Sequence, residues 1–259
     1  MKNVLLIMLI GMMAICSHTK TIYDISIFDD TEVSSLAKFV ATQDTFRIKQ
    51  FIKNHPQINI DSPDPFLGSN LLIWSIYNDK YESFRMLLNA GANPNFVCLK
   101  DGETPLISAS RFLNEKGVDS RYISNLLQHG ADGSLISIDN SEGHTIYRSP
   151  IVYAINHIEY IRLFVEQGGL DVNFSVNGIS IVQWAIMEKK IDVLFYLVVD
   201  RNADITGVMK EVLEIPGETW PVTLLIDEVK QMDFPENSEE LFMKNEIIRK
   251  YNEQVANVR

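Results

Sequence analysis

Cysteine is nearly absent. The 259 residues hold two, Cys16 and Cys98, too few for a disulfide framework. Glycine and proline are scarce as well, at 13 and 9, which excludes a collagen-like or low-complexity chain. Basic charge is outnumbered, with 23 Lys+Arg against 34 Asp+Glu and a net charge of −11. Such a surface repels phosphate backbones, so no nucleic acid is expected as a partner. Beyond residue 16, no uncharged apolar run approaches the roughly 20 residues that span a bilayer. Catalytic signatures are missing too: there is no Gly-rich phosphate loop, His-Glu-x-x-His pair, Cys-x-x-Cys pair or Gly-x-Ser-x-Gly elbow. The five histidines, His18, His55, His129, His144 and His157, are scattered, and helix C-terminal capping accounts for His55 and His129 more simply than catalysis. Asp61 and Asp64, in a Pro-rich loop, are read as turn-shaping residues, and Cys98 as an inert thiol. No catalytic residue, metal or cofactor is expected.

What is present begins at the N-terminus. Lys2 precedes thirteen residues without charge, Val4 to Cys16, and the polar run Ser17-His18-Thr19-Lys20 ends them. That length suits the core of an export signal, roughly 7–15 residues, and not a membrane span. Met13-Ala14-Ile15-Cys16 resembles a lipobox, with Cys16 as the lipid-bearing residue, although Ile15 stands where that motif wants a small residue. Lipid attachment at Cys16 and simple cleavage after Cys16 or Ser17 both stay open. Residues 1–17 are therefore expected as a signal peptide and 18–32 as a linker.

A hydrophobic content of 46% supplies a real core for the remainder. A unit of two short helical patterns and a turn recurs through it. First helices start at Asn70-Leu71-Leu72, Thr104-Pro105-Leu106, Ser149-Pro150-Ile151 and Ser180-Ile181-Val182, where a polar cap precedes an apolar or Pro first position. Second helices end at Gly91-Ala92-Asn93-Pro94-Asn95, Gly130-Ala131-Asp132, Gly168-Gly169 and Asn202-Ala203-Asp204, residues that tolerate the left-handed turn closing a helix. A degenerate first unit begins at Ser34 and a possible sixth at Trp220-Pro221-Val222. Starts at 34, 70, 104, 149, 180 and 220 leave long spacings that place insertions near 133–148 and 205–219.

These residues resemble the ankyrin repeat, whose period is about 33 residues. Thr104-Pro105-Leu106 with Gly130-Ala131-Asp132 carries the likeness most specifically. The resemblance implies an all-α solenoid of five to six units over 33–236, closed by a capping helix over 237–259. That helix has capping-box spacing at Asn237-Ser238-Glu239-Glu240 and an apolar stripe of Leu241, Ile248, Tyr251 and Val255. One departure is the His that usually follows Thr-Pro-Leu; Ile73, Ile107, Val152 and Gln183 replace it.

The resemblance also implies a protein-binding face along the first helices and the loops between units. The position two residues past Leu in the Thr-Pro-Leu motif is held by Lys38, Trp74, Ser108, Tyr153, Trp184 and Leu224. Trp74, Tyr153 and Trp184 are the expected anchors, since Trp and Tyr bury much area with few rotatable bonds. Phe66, Leu67, Phe96, Leu99 and Phe174 extend the face from the loops. The reading is a non-enzymatic, exported scaffold, monomeric when free, that binds a protein in the periplasm or as a lipoprotein anchored to the outer membrane and facing the periplasm. Exported ankyrin proteins of this size resemble immunity proteins that neutralise secreted antibacterial toxins, and accessory proteins of periplasmic enzymes such as catalase. The reading from another class is a hydrolase or small-ligand protein with its site in the 133–148 insert. Intact-mass measurement on membrane and soluble envelope fractions tests the export step. The expected result is a chain shortened to residue 16, 17 or 18, with added acyl mass if Cys16 carries lipid; a full-length chain confined to the cytoplasm contradicts export.

Overall fold

The computed structural model describes residues 21–98, 100–116, 119–139, 145–209 and 223–258. Within them the chain forms six helix pairs. The first is α1 (Ser34–Ala41) with α2 (Thr45–Asn54), the second α3 (Leu71–Tyr77) with α4 (Tyr81–Asn89). The third is α5 (Pro105–Lys116) with α6 (Arg121–Gln128), the fourth α7 (Pro150–Ala154) with α8 (Ile158–Arg162). The fifth is α9 (Ile181–Met187) with α10 (Ile191–Phe195), the sixth α11 (Leu225–Gln231) with α12 (Glu239–Val258). Both α8 and α10 run on into one π-helical turn, Leu163–Gln167 and Tyr196–Asp200. First helices pack on first helices and second on second along the stack, giving an inner and an outer layer.

Local chemistry sets the boundaries. Asn70, Thr104 and Ser180 each accept a hydrogen bond from the backbone N–H three residues on, at 3.0, 3.2 and 3.1 Å, satisfying a donor that the first turn leaves free. Gly91, Gly130, Gly169 and Asn202 all take positive φ just past the outer helices, as expected. The core lies between the layers. Leu72, Ala109, Ile151, Ala154, Val182 and Ala185 are buried on the inner side, and Tyr122, Tyr160 and Tyr196 place whole rings inside from the outer side.

A polar tether joins successive turns. Asp61 Oδ2 accepts from the N–H of Asn93 (2.9 Å), Asn95 Oδ1 from Asp132 (2.7 Å) and Asn173 Oδ1 from Asp204 (2.8 Å). Each bond crosses one repeat. In the positions of the missing His, Ile73 and Ile107 are buried apolar contacts instead.

Two boundaries differ from expectation. Residues 18–32 are not a plain linker: within their described part, a 3-10 turn at Ile25–Phe28 is capped by Asp24 and buries Ile27 and Phe28 against α1. The C-terminal helix is not a separate cap either. It is the outer helix of the sixth pair, packed on α10 and α11, with Ile247 fully buried and Ser238 capping its start through the N–H of Leu241 (3.1 Å). Gln254 pins it to the fifth turn, donating to Ala203 O (2.8 Å) and accepting from the N–H of Ile205 (3.2 Å). The expected start at Trp220 lies outside the described residues, and the sixth inner helix begins at Leu225.

Short strands interrupt the helices. The 133–148 insert carries β1 (Ser137–Asp139) and β2 (Ile146–Arg148), antiparallel, with Ile138 opposite Tyr147. A smaller hairpin, β3 (Ser175–Val176) and β4 (Ile179–Ser180), turns on Asn177-Gly178, both at positive φ as a tight two-residue hairpin requires. Truncation before Glu239 is expected to uncover the apolar flank of α10 and α11 and give aggregated protein by analytical ultracentrifugation; a soluble, fully helical monomer would contradict the role assigned to α12.

Candidate functional site

Three loops stack beside the inner helices. In the first, Asp64 accepts from the N–H groups of Phe66 (2.8 Å), Leu67 (2.7 Å) and Ser69 (2.8 Å), a turn that leaves the Phe66 ring 45% exposed. The second loop sits on it. Lys100 Nζ donates to Pro65 O (3.0 Å), and the Cys98 thiol to Leu67 O (3.1 Å). Burial pushes that thiol up to about 12, assisted by Asp101, so it is a packing group and not a nucleophile at neutral pH. The third loop, the β1–β2 hairpin, sits on the second. Ser137 Oγ donates to Gly102 O, and a Cβ on Gly102 would stand 3.0 Å from Ile138 O. Gly102 also has φ +69°, so both conformation and space call for glycine.

Alternation along the hairpin sorts its side chains. Ser137, Asp139 and Arg148 turn inward, while Ile138 (52%) and Tyr147 (44%) are exposed across from one another. Ile136, Ile146 and Val97 are exposed as well, Ile146 opposite Asp139 in the register and so on the other face of the hairpin from Tyr147.

Beneath the hairpin lies a buried charge. Glu103 is 3% exposed and accepts from Tyr77 OH (3.0 Å), Ser108 Oγ (2.9 Å) and Arg111 Nη2 (3.3 Å). Arg148 Nη1 approaches its second oxygen at 3.7 Å and, through Nη2, grips Asp139 at 2.6 Å. Burial raises the Glu103 carboxyl above the usual carboxylate range, against the pull of Arg111. Tyr77, Glu103 and Arg148 come from three successive units, so one carboxylate holds three units and the hairpin in register. Asp139 and Arg148, the charged residues of the two strands, are committed to this network. Among the described residues no group of three or more His, Cys, Asp or Glu could hold a metal ion, and no helix is long and apolar enough to cross a membrane.

The expected anchors fare unequally. Trp74 is 2% exposed, enclosed where α3 packs between α1 and α5, and cannot serve as a surface anchor; this corrects the expectation. Ser108, at the same repeat position, is buried too, while Lys38 and Leu224 are exposed. Tyr153 and Trp184 are half-buried on the inner face. Among loop residues, Phe66 is exposed, and Leu67, Phe96 and Phe174 are half-buried, with Leu67 and Phe174 packed on the core. Leu99 and Cys16 lie outside the described residues. Sequence reasoning missed Ile138 and Tyr147, although Ile136-Ser137-Ile138-Asp139 alternates as a strand does. The expected minor roles of His55 and His129 match their positions: each ring Nδ1 lies 2.8 Å from a carbonyl of the preceding turn.

Solved structures share the architecture. Among them is the human ASB11 ankyrin repeat domain, at TM-score 0.52 and 16% identity, covering 81% of each chain. Another is EF0377, an ankyrin repeat protein, at TM-score 0.57 and 18% identity, covering 86% of this chain and all of that one. The fold is an ankyrin-repeat solenoid. No protein-family model and no curated protein matches the sequence. The stacked loops are therefore the fingers of the ankyrin fold, and the inner helices line its palm. Trp74→Ala is expected to lose roughly 3–5 kcal/mol of unfolding free energy by denaturant titration, as a buried aromatic does. Tyr153→Ala, half-buried, is expected to lose less; equal losses would contradict the different burial of the two rings.

Proposed function

We propose that this ankyrin solenoid is a non-enzymatic protein-binding scaffold whose binding surface centres on the third finger. The observation that carries this reading is the exposed Ile138–Tyr147 pair, cross-strand neighbours on one face of the hairpin. Isoleucine and tyrosine stand exposed on the outward side of a hairpin whose inward side is fixed by Ser137, Asp139 and Arg148, and an exposed apolar pair of this kind suits a contact surface. Apolar groups held rigidly by a stacked loop lose little entropy when covered, which favours a binding role. Tyr153 and Trp184 extend the surface along the palm, and Phe66 along the fingers.

The partner is a protein. With a net charge of −11, the scaffold favours a target of opposite sign and speeds its capture. The uncharged run from Val4 to Cys16 supports export, and with it a periplasmic or outer-membrane-anchored setting. There the role that suits a small acidic binder without a catalytic set is immunity against a secreted antibacterial toxin; support of a periplasmic enzyme is the second role of the same kind. Affinity capture from the envelope fraction, followed by calorimetry on the captured protein, tests the reading. Ile138→Asp and Tyr147→Asp are each expected to weaken binding by about thirtyfold, or roughly 2 kcal/mol, with an unchanged melting temperature. Full affinity in both variants would move the surface elsewhere.

A further inference from the structure

Along the palm, Arg111 of α5 is hydrogen-bonded, among the described residues, through one of its nitrogens. Its Nη2 donates both to the hydroxyl of Tyr77 and to Glu103 Oε1, while its side chain stays 37% exposed. The guanidinium carbon lies 6.0 Å from the ring centre of Tyr77 and 5.8 Å from that of Tyr153, so aromatic rings of the second and fourth units flank it. Glu103, which fixes it, is itself fixed by Ser108 and Tyr77. A guanidinium carries five N–H donors in one plane. Both hydrogen bonds of Arg111 leave from Nη2, so Nε–H and the two N–H groups of Nη1 find no acceptor among the described residues. Arg148, the other arginine of the network, is only 15% exposed and is occupied by Asp139 and Glu103.

From this geometry we infer that Arg111 is the anchor for a carboxylate of the protein partner, an Asp or Glu side chain or a chain terminus. Two oxygens of a carboxylate match two adjacent N–H groups of a guanidinium in a fork that is directional as well as charged. The fork is already oriented by Glu103 and the two rings, so little freedom is lost on docking. Charge complementarity selects the ligand. The chain as a whole carries a net charge of −11, so a partner drawn in by its own positive charge is then placed by one negative group that must land on this cation. Glu103 and Tyr77 act through Arg111 as positioning residues.

This inference rests on the palm and fingers being the binding surface, and the test separates the two. The probe is a set of peptides selected from an unbiased random-peptide display library against the full chain. Selected sequences are expected to be enriched in Asp or Glu. Arg111→Lys, which keeps the charge and the partner of Glu103 but loses the fork, and Arg111→Met should each weaken binding by about tenfold or more. Exchanging the peptide carboxylate for its amide should cost as much, and the two changes together should cost no more than either alone. Thermal melts of Arg111→Lys should match the wild type, which keeps a binding loss apart from a folding loss. Peptides that lose affinity with Ile138→Asp but keep it with both Arg111 variants overturn the arginine anchor and leave the surface standing. Peptides indifferent to all three variants overturn both, and a selection without any Arg111-dependent binder overturns the anchor.

Discussion

Each helix pair in this chain has an apolar flank that only its neighbour can cover. The helices span between five and twelve residues before the last one, lengths at which an isolated helix is marginal in water. Stability must therefore come from stacking, and the ends of the stack need special treatment. At one end the 3-10 turn at Ile25–Phe28 inserts Ile27 and Phe28; at the other, the twenty-residue α12 lies over α10 and α11. Between the ends, Asp61, Asn95 and Asn173 each reach one repeat forward to a backbone N–H. Those bonds take over the turn-to-turn linkage that the absent histidines would otherwise provide, while Ile73 and Ile107 use the vacated positions for packing.

Against that apolar background the buried Glu103 stands out. Taking a carboxylate out of water is costly, and a hydrophobic replacement of similar shape is often as stable or more so. What the charge does provide is direction. One of its oxygens accepts from the α3 tyrosine and from the α5 serine and arginine, and the arginine of β2 stands 3.7 Å from the other, so its neighbours are oriented along fixed lines. An apolar side chain in its place would fill the space without fixing where the hairpin or Arg111 points. The network thus specifies the shape of the palm and fingers more than it contributes net stability.

Much of the fold was legible because its signals are local. Caps such as Asn70 and Ser180, and terminators such as Gly91 and Asn202, act within three or four residues, so their spacing in the sequence is their spacing in the structure. The site was less legible because it depends on what a neighbouring unit covers. Trp74 and Trp184 occupy the same repeat position, yet one is enclosed and the other half-open. Tyr77 and Glu103, 26 residues apart, meet only through the stacking of two units. Asn177-Gly178 marked a hairpin and the alternation at 136–139 a strand, but both lie in connections between helical units, where the repeat period carries no signal. Likewise the last helix, amphipathic in sequence, read as a cap, because only its packing on α10 and α11 pairs it with the sixth inner helix.

Stacking also ties the binding surface to the fold. The second finger holds the first through Cys98 and Lys100, and Gly102 seats the third. No finger is positioned by its own sequence alone. A side chain introduced at Gly102 would press on Ile138 O, the backbone that carries the exposed isoleucine, and would do so at a φ that L-residues disfavour. Such a change disturbs recognition without touching any residue that meets the partner. Substitutions at the exposed tips, by contrast, leave these seats intact. The inward residues of the fingers are therefore constrained by the repeat beside them, and the outward residues by the partner. On the proposed reading, that division lets the chain keep one scaffold while the group it presents on Ile138, Tyr147 and Arg111 is set by what it binds.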